Sequence, residues 1–189
     1  MRILTYSLLL FCVVNLKAMQ FDAPKVSELI SAAQRGDCDA IQKYVAAGGD
    51  INAIELGYSA LMKTVLYGHE AASQLVLQLG INPNFKDTNG NTILFYDKCP
   101  SRIFKAALEK GADPNIQGAT GKTILTDLAC YQSRASLPYL ISLLLKYRAK
   151  VDIPDKYGKT ALDYATNTWL EKFFEMDASE LEKVIVRYQ

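Results

Sequence analysis

Three features of the chain have residue types and spacings that could support chemistry: a lysine in a glycine-rich stretch, a single histidine and several cysteines. The stretch G-A-T-G-K-T at 118–123 contains the last part of a phosphate-binding loop pattern. The full pattern needs a glycine five residues before Gly121, where Ile116 stands, and a buried strand ahead of it. The same residues fit a turn followed by a helix start. We therefore expect no nucleotide site and no cofactor.

The histidine and the thiols also lack the partners that catalysis or metal binding requires. A site built on His69 would need cysteine or carboxylate groups converging from other elements. Of the four cysteines, Cys12 lies in the apolar run near the N-terminus; the other three, Cys38, Cys99 and Cys130, are an odd number without CxxC spacing, which predicts neither a zinc site nor a disulfide framework. We expect free thiols, no metal, no catalytic residues and a non-enzymatic protein. An enzyme that uses His69 or a free cysteine is the alternative.

Composition limits the partners. The chain has 189 residues, enough for one domain with a buried core, and half of them are hydrophobic. Its 21 basic and 20 acidic residues are interspersed and leave a formal charge of +1. Nucleic-acid binding would need lysine and arginine clustered on one face. We therefore expect a protein partner and no nucleic acid.

The first residues have the pattern of a targeting segment. Arg2 is followed by a mostly apolar run at 3–16, and Leu16-Lys17-Ala18 ends in a small residue. The run is too short to cross a hydrocarbon core, which needs about 20 residues. We interpret Met1–Ala18 as a secretory signal peptide and 19–189 as the mature domain. The pattern predicts a periplasmic or secreted protein with no membrane insertion after cleavage.

A motif recurs through the rest of the chain. Gly57, Gly90, Gly121 and Gly158 are separated by 33, 31 and 37 residues, and each precedes a serine or threonine by two positions. Apolar helical runs lie on both sides of each copy. Glycine accepts the left-handed turn conformation, and the hydroxyl can cap the next helix. A period near 33 with a turn and two helices indicates a repeat array.

The motifs identify the family that the array resembles. The segment 35–52 (R-G-D-C-D-A-I-Q-K-Y-V-A-A-G-G-D-I-N) resembles the second half of an ankyrin repeat. In the next unit, G-Y-S-A-L-M at 57–62 replaces G-x-T-P-L-H, and Gly68-His69 matches the glycine-histidine between the helices. The resemblance implies an all-α ankyrin-repeat solenoid of about five helix-turn-helix units joined by β-turn fingers, with an extra C-terminal capping helix.

The repeat boundaries follow from the same register. We place the units at approximately 26–53, 54–86, 87–117, 118–154 and 155–176, and the cap at 177–189. Asp39 should cap the second helix, and Ser59, Thr92, Thr123 and Thr160 the inner helices. The third unit is short: Pro100 interrupts it, and Ser101 can cap the helix that follows. The fourth unit is long, with its excess around 131–138.

The resemblance also implies a binding surface, because ankyrin fingertips and inner helices form a concave groove for partner proteins. Position by position it predicts contacts from these residues: Glu55, Leu56, Tyr58, Leu66, Tyr67, Thr88, Asn89, Asn91, Lys122, Tyr131, Lys156, Tyr157 and Lys159. Three of these are lysines in the C-terminal half, which suggests an acidic partner surface. We expect a monomer that acts as an inhibitor or immunity protein for an exported toxin or enzyme, or as an envelope adaptor. A secreted effector that acts on a host protein is a further alternative.

Overall fold

The computed structural model describes residues 23–130, 137–165 and 168–187. In these ranges the chain forms ten α-helices and one short 3₁₀ helix. The predicted signal segment Met1–Ala18 and the predicted contact Tyr131 lie outside the described residues. The helices are α1 Val26–Arg35, α2 Cys38–Ala46, α3 Ala60–Leu66, α4 Glu70–Gln78, the 3₁₀ helix Ile93–Phe95, α5 Ser101–Glu109, α6 Ile124–Cys130, α7 Leu137–Lys146, α8 Ala161–Tyr164, α9 Thr168–Glu175 and α10 Ala178–Arg187.

The helices stack as pairs, so each repeat covers the apolar face of the one before it. Three contacts join first helices of successive pairs: α1 lies on α3, the 3₁₀ helix on α6, and α6 on α8. The second helices also contact one another in order, α2 with α4, α4 with α5, and α5 with α7. One continuous core results, which runs from Leu29 to Ile185 and has Phe104 among its largest fully buried side chains.

Hydroxyl caps begin most of the inner helices, as predicted. The Ser59 Oγ accepts the backbone N–H of Met62 at 3.4 Å, and the Thr123 Oγ1 accepts that of Thr126 at 3.2 Å. Thr160 forms a full capping box with Asp163, in which each side chain accepts the other residue's backbone N–H. These bonds satisfy N–H groups that the first turn of a helix leaves unpaired.

Two predicted caps on outer helices are wrong. Asp37, not Asp39, caps α2, because its Oδ1 accepts the Ala40 N–H at 2.9 Å. Gly36 ends α1 in a left-handed conformation, so only one residue remains before the next helix and the cap falls earlier than expected. At the third outer helix, Pro100 occupies the cap position and Ser101 is already helical, without a side-chain cap bond.

The third repeat departs most from the expected geometry. Its inner helix is reduced to the 3₁₀ turn Ile93–Phe95, and the predicted cap from the Thr92 hydroxyl is absent. The Phe95 N–H bonds the Thr92 carbonyl at 3.1 Å, so it is not available to the hydroxyl. Pro100 also disfavours helical geometry in the residue before it, which leaves too little chain for a full helix.

The C-terminal helix packs chiefly on α7. Ile185 is buried, and the Lys146 ammonium lies 2.8 Å from Glu182 across the two helices. Asp177 caps the helix: its Oδ1 accepts the N–H groups of Ser179 and Glu180, and its own N–H donates to the Glu180 side chain. Within the described ranges, no helix combines the length and apolar character needed to span a membrane.

Candidate protein-binding surface

The first fingertip is a two-residue hairpin. Glu55 and Tyr58 exchange both backbone hydrogen bonds, at 3.1 and 3.0 Å, around Leu56 and Gly57. Both central residues have positive φ, +51° and +76°, as the tightest hairpin turns require. Leucine is poorly suited to this conformation, yet the Leu56 side chain is 86% exposed. A strained apolar residue that faces solvent is a candidate contact.

The second and fourth fingertips are built on an aspartate. The Asp87 Oδ1 accepts the N–H groups of Asn89 and Asn91, both at 2.9 Å. In the same way, the Asp155 Oδ1 accepts the N–H groups two and four residues later, at 2.8 and 3.1 Å. In both loops the aspartate N–H also bonds the carbonyl four residues on. The carboxylates therefore hold the tips in shape instead of facing a partner.

A tyrosine in or directly after the adjoining inner helix completes each aspartate site. The Tyr96 hydroxyl donates to the Asp87 Oδ2 at 2.9 Å, and the Tyr164 hydroxyl donates to the Asp155 Oδ2 at 2.8 Å. Burial, then this hydrogen bond, raises the pKa of Tyr96 well above its usual range. Burial pushes the pKa of Asp155 upward, but the bonds from Tyr164 and the loop N–H groups outweigh it, and the pKa falls below its ordinary value.

The third fingertip lacks the aspartate because the neighbouring finger is too close. Gly118 occupies the equivalent position, and a side chain there would collide with the Asn91 Oδ1 and press on Phe95. Its turn keeps the backbone bonds of the others, from the Gly118 N–H to the Lys122 carbonyl at 2.9 Å and from the Gly121 N–H to the Gly118 carbonyl at 3.0 Å. The fingertips are therefore similar in backbone and different in side chains.

The four fingertips form one continuous surface. A side chain at Gly57 would overlap Thr88 of the next finger, and one at Gly121 would overlap Lys156. A Cβ at Gly90 would lie in ordinary van der Waals contact with Ala119, 3.6 Å from its backbone N. We call this surface the finger face, and define it as the tips 56–57, 88–90, 119–121 and 156–158 with the adjacent side chains Tyr58, Lys63, Tyr96, Lys122, Lys159 and Tyr164.

Lysines lie over tyrosine rings at both ends of the finger face. The Lys63 ammonium is 4.0 Å from the centroid of the Tyr58 ring. At the other end the ammonium groups of Lys122 and Lys159 lie 4.6 and 5.4 Å from the centroid of the Tyr164 ring. These distances are within the range of cation–π attraction. The Lys122 Nζ also donates to the Cys130 Sγ at 3.1 Å, and this bond raises the pKa of the lysine.

The predicted contact residues differ in how far they are exposed to solvent. Leu56 and Tyr157 are the most exposed, at 86% and 81%. Tyr67, beyond the end of α3, is also exposed, whereas Leu66 is half-buried. Four more of the predicted contacts are exposed: Thr88, Asn89, Lys156 and Lys159. Four others are half-buried: Glu55, Tyr58, Asn91 and Lys122. Their assignment as contacts stays a prediction.

Three finger-face residues are not among the contacts predicted from the sequence. Lys63, Tyr96 and Tyr164 each lie six residues after a repeat glycine: Lys63 and Tyr164 are the fourth residues of α3 and α8, and Tyr96 directly follows the 3₁₀ helix. Aligning the copies on that glycine would have placed them in one column with Asp127. This alignment would have shown that the sixth position after each repeat glycine carries a charged residue or a tyrosine.

His69 lies between two repeats. Its Nε2 is 2.9 Å from the Gln34 carbonyl, and a side chain at Gly36 would collide with its ring. This partner is 35 residues away, in the preceding repeat. Cys38, Cys99 and Cys130 are free thiols, and the described residues contain no cluster of potential metal ligands. His69 thus serves packing between repeats.

Helix pairs joined by stacked fingers are the architecture of ankyrin repeats, and the fold is an all-α ankyrin solenoid. A family model described as ankyrin repeats, in three copies, matches residues 98–174. The ankyrin repeat is generally a protein-interaction fold without enzymatic activity of its own.

Known proteins agree with this class. A protein of Acanthamoeba polyphaga mimivirus named for its ankyrin repeats is 28% identical over 165 residues, which cover 79% of this chain and 29% of the relative. One of Treponema pallidum, also named for such repeats, is 25% identical over 116 residues, or 59% of this chain and 39% of the relative. An E3 ubiquitin-protein ligase of Arabidopsis thaliana is 30% identical over 66% of this chain, but the match covers 8% of the ligase. The chain thus spans well under half the length of these relatives.

Proposed function

We propose that the protein binds a partner protein through the finger face and has no catalytic role. The observation that carries the proposal is the contact between successive fingertips, which joins different side chains into one surface. Leu56 and Tyr157 extend from opposite ends of it, 86% and 81% exposed. Large side chains in such positions are suited to act as anchors, since a few aromatic or apolar residues supply most of the energy of an interface.

Site-specific crosslinking tests this surface directly. A photoreactive amino acid at Leu56 or Tyr157 should crosslink to the same partner in the source cells. Val186 offers a matched control, because it is also an exposed large apolar residue, at 63%, but lies on α10 outside the finger face. Crosslinking at Val186 alone, or equally at all three positions, would contradict the proposal.

Affinity measurements with the captured partner test how much individual side chains contribute to binding. Tyr157→Ser should weaken binding about tenfold or more, the effect expected when an anchor side chain is removed. Asp152→Ser changes another exposed residue outside the finger face and should leave the affinity unchanged. Equal affinities for the parent and Tyr157→Ser would remove the main support for the C-terminal fingers as a contact.

We further propose that the protein is exported and acts as a monomer in the periplasm or outside the cell. The support is the pattern of residues 1–18, a basic start, an apolar run and a small residue at Ala18. Intact mass measurement of the protein from the periplasmic fraction should give a chain that begins at Met19. A cytoplasmic protein of full mass would contradict export.

The role of an inhibitor or immunity protein differs from that of an adaptor in its effect on the partner. An inhibitor that covers an exported toxin or enzyme should abolish its activity at equal concentrations. An adaptor should leave that activity unchanged and bring a second protein into the complex. Activity assays of the captured partner, with and without the parent chain or Tyr157→Ser, distinguish the two.

A further inference from the structure

The last two fingers concentrate positive charge at one end of the finger face. The ammonium groups of Lys122 and Lys159 both lie within about 5.5 Å of the Tyr164 ring centroid, at 4.6 and 5.4 Å. Lys156 is exposed at the adjacent tip, beside Tyr157. Both ammonium groups are held beside the same ring, so an anion bound there would be attracted to both charges.

The carboxylates of these fingers are engaged within their own loops. The Asp155 side chain is buried and accepts bonds from two backbone N–H groups and the Tyr164 hydroxyl. The Asp163 Oδ2 accepts both the backbone N–H and the hydroxyl of Thr160, at 2.7 and 2.8 Å. Asp127 on α6 lies near Lys122 and offsets part of its charge. The lysines at 156 and 159 are therefore the charges that extend farthest toward a partner.

The surroundings favour a protein carboxylate over a phosphate polymer or a membrane. The cations are lysines, whereas bidentate phosphate recognition favours arginine. The basic area ends within two fingers, because the exposed tips of the earlier fingers carry Leu56, Thr88 and Asn89, and a nucleic-acid backbone needs a longer basic stripe. The exposed Tyr157 ring adds an amphipathic contact of the kind enriched in protein interfaces.

We propose that the last two fingers bind a carboxylate-rich segment of the partner protein through Lys122, Lys156 and Lys159, with Tyr157 as the neighbouring aromatic contact. This rests on the proposed function, since it specifies the partner chemistry at one end of the finger face. The N-terminal end, with Leu56, then binds an apolar part of the same partner. Because one end of the finger face is basic and the other is apolar, the partner can lie along the fingers in only one direction.

The test uses a short peptide of alternating glutamate and leucine, and the same peptide with glutamine in place of glutamate. We expect the acidic peptide to shift the backbone amide NMR signals of 119–122 and 156–160 in the full chain. Replacing both exposed lysines, Lys156→Gln with Lys159→Gln, should weaken binding roughly fivefold, from the loss of two exposed charge pairs. The control Lys43→Gln with Lys110→Gln removes the same charge elsewhere and should not weaken it.

Four results would overturn this inference. They are equal binding of the glutamine peptide, no binding of the acidic peptide, equal losses in the two double variants, and tighter binding of a short RNA duplex or of phosphatidylserine vesicles at the same fingers. The crosslinking experiment remains independent. If Leu56 and Tyr157 still crosslink to a partner that the Lys156/Lys159 variant binds normally, the proposed function stands and only the acidic chemistry fails.

Discussion

The side chain of Asn84 holds the backbone of Asp113 in the following repeat: its Oδ1 accepts the Asp113 N–H at 2.7 Å. Its Nδ2 donates to the Gly111 carbonyl at 2.9 Å. The same link joins Asn52 to the Asn82 N–H at 2.6 Å and Asn115 to the Lys150 N–H at 2.7 Å. A ladder of asparagines in the loops that follow the outer helices thus fixes the spacing between successive repeats.

Asn84→Ala should lower the free energy of unfolding by about 1–2 kcal/mol, because two hydrogen bonds to the next repeat are lost. Asn84→Asp keeps the acceptor and loses the donor, so it should cost roughly half as much. Asn89→Ala, at an exposed fingertip, is the control and should have little effect. Urea unfolding followed by circular dichroism measures all three. An unchanged midpoint for Asn84→Ala would exclude the ladder as a source of stability.

Thr92 and Thr123 occupy equivalent positions but should respond in opposite ways to valine. The Thr92 Oγ1 is buried with no hydrogen-bond partner among the described residues, and valine has nearly the same shape. Thr92→Val should therefore be neutral or stabilise the protein by up to about 1 kcal/mol. Thr123→Val removes the hydroxyl that accepts the Thr126 N–H and should destabilise the protein by about 1–2 kcal/mol. Thermal unfolding of the two variants tests the contrast, and losses of similar size would contradict it.

The sequence predicted the elements that depend on local chemistry. The glycine turn and the hydroxyl cap lie within three residues of each other, so Ser59, Thr123 and Thr160 could be recognised from spacing alone. Pro100 correctly indicated an interruption of the third unit. The extent of the interruption depended on competition between the Thr92 carbonyl and hydroxyl for one N–H group, which spacing does not reveal.

The candidate surface was predictable only in part. Tip positions such as Leu56 and Tyr157 follow from the register of the repeat. The Tyr96–Asp87 bond depends on how an inner helix returns to its own finger, and the His69–Gln34 bond on how two repeats stack. Both are three-dimensional consequences of packing, so the pattern of one repeat contains no direct sign of them.

Arg148 occupies a position where three other repeats have glycine. The residues two beyond the ends of α2, α4 and α5 are glycines with φ of +86°, +87° and +90°, whereas Arg148 has φ of +64° after α7. A left-handed conformation costs an L-residue roughly 1–2 kcal/mol. Arg148→Gly should therefore raise stability by about 0.5–1 kcal/mol, after the greater freedom of glycine in the unfolded chain is subtracted.

The matching control is Lys150→Gly, also exposed but without positive φ, which should lower stability. Differential scanning calorimetry should show Arg148→Gly melting roughly 2–3 °C higher than the parent. A lower melting temperature would mean that the arginine side chain contributes more than its backbone strain costs.

Alkaline pH should destabilise the protein through tyrosines that are buried or half-buried in the fold. Burial raises the pKa of Tyr44, Tyr96, Tyr139 and Tyr147 above the ordinary value of 10.0, and in Tyr96 the bond to Asp87 adds to the effect. Above pH 10 the unfolded chain releases these protons while the native chain keeps them. The stability they contribute is fully present below pH 10 and declines as pH rises toward their native pKa values.

Tyr96→Phe separates the two roles of this hydroxyl. At neutral pH the variant loses its bond to Asp87 and should be destabilised by about 1 kcal/mol. Above pH 10 its stability should fall less steeply, by up to about 1.4 kcal/mol per pH unit, since one tyrosine no longer titrates on unfolding. Tyr157→Phe removes an exposed hydroxyl and is the matched control. Urea unfolding between pH 7 and about pH 11 measures the slopes. Parallel curves for the parent and Tyr96→Phe would show that the Tyr96 proton does not link pH to folding.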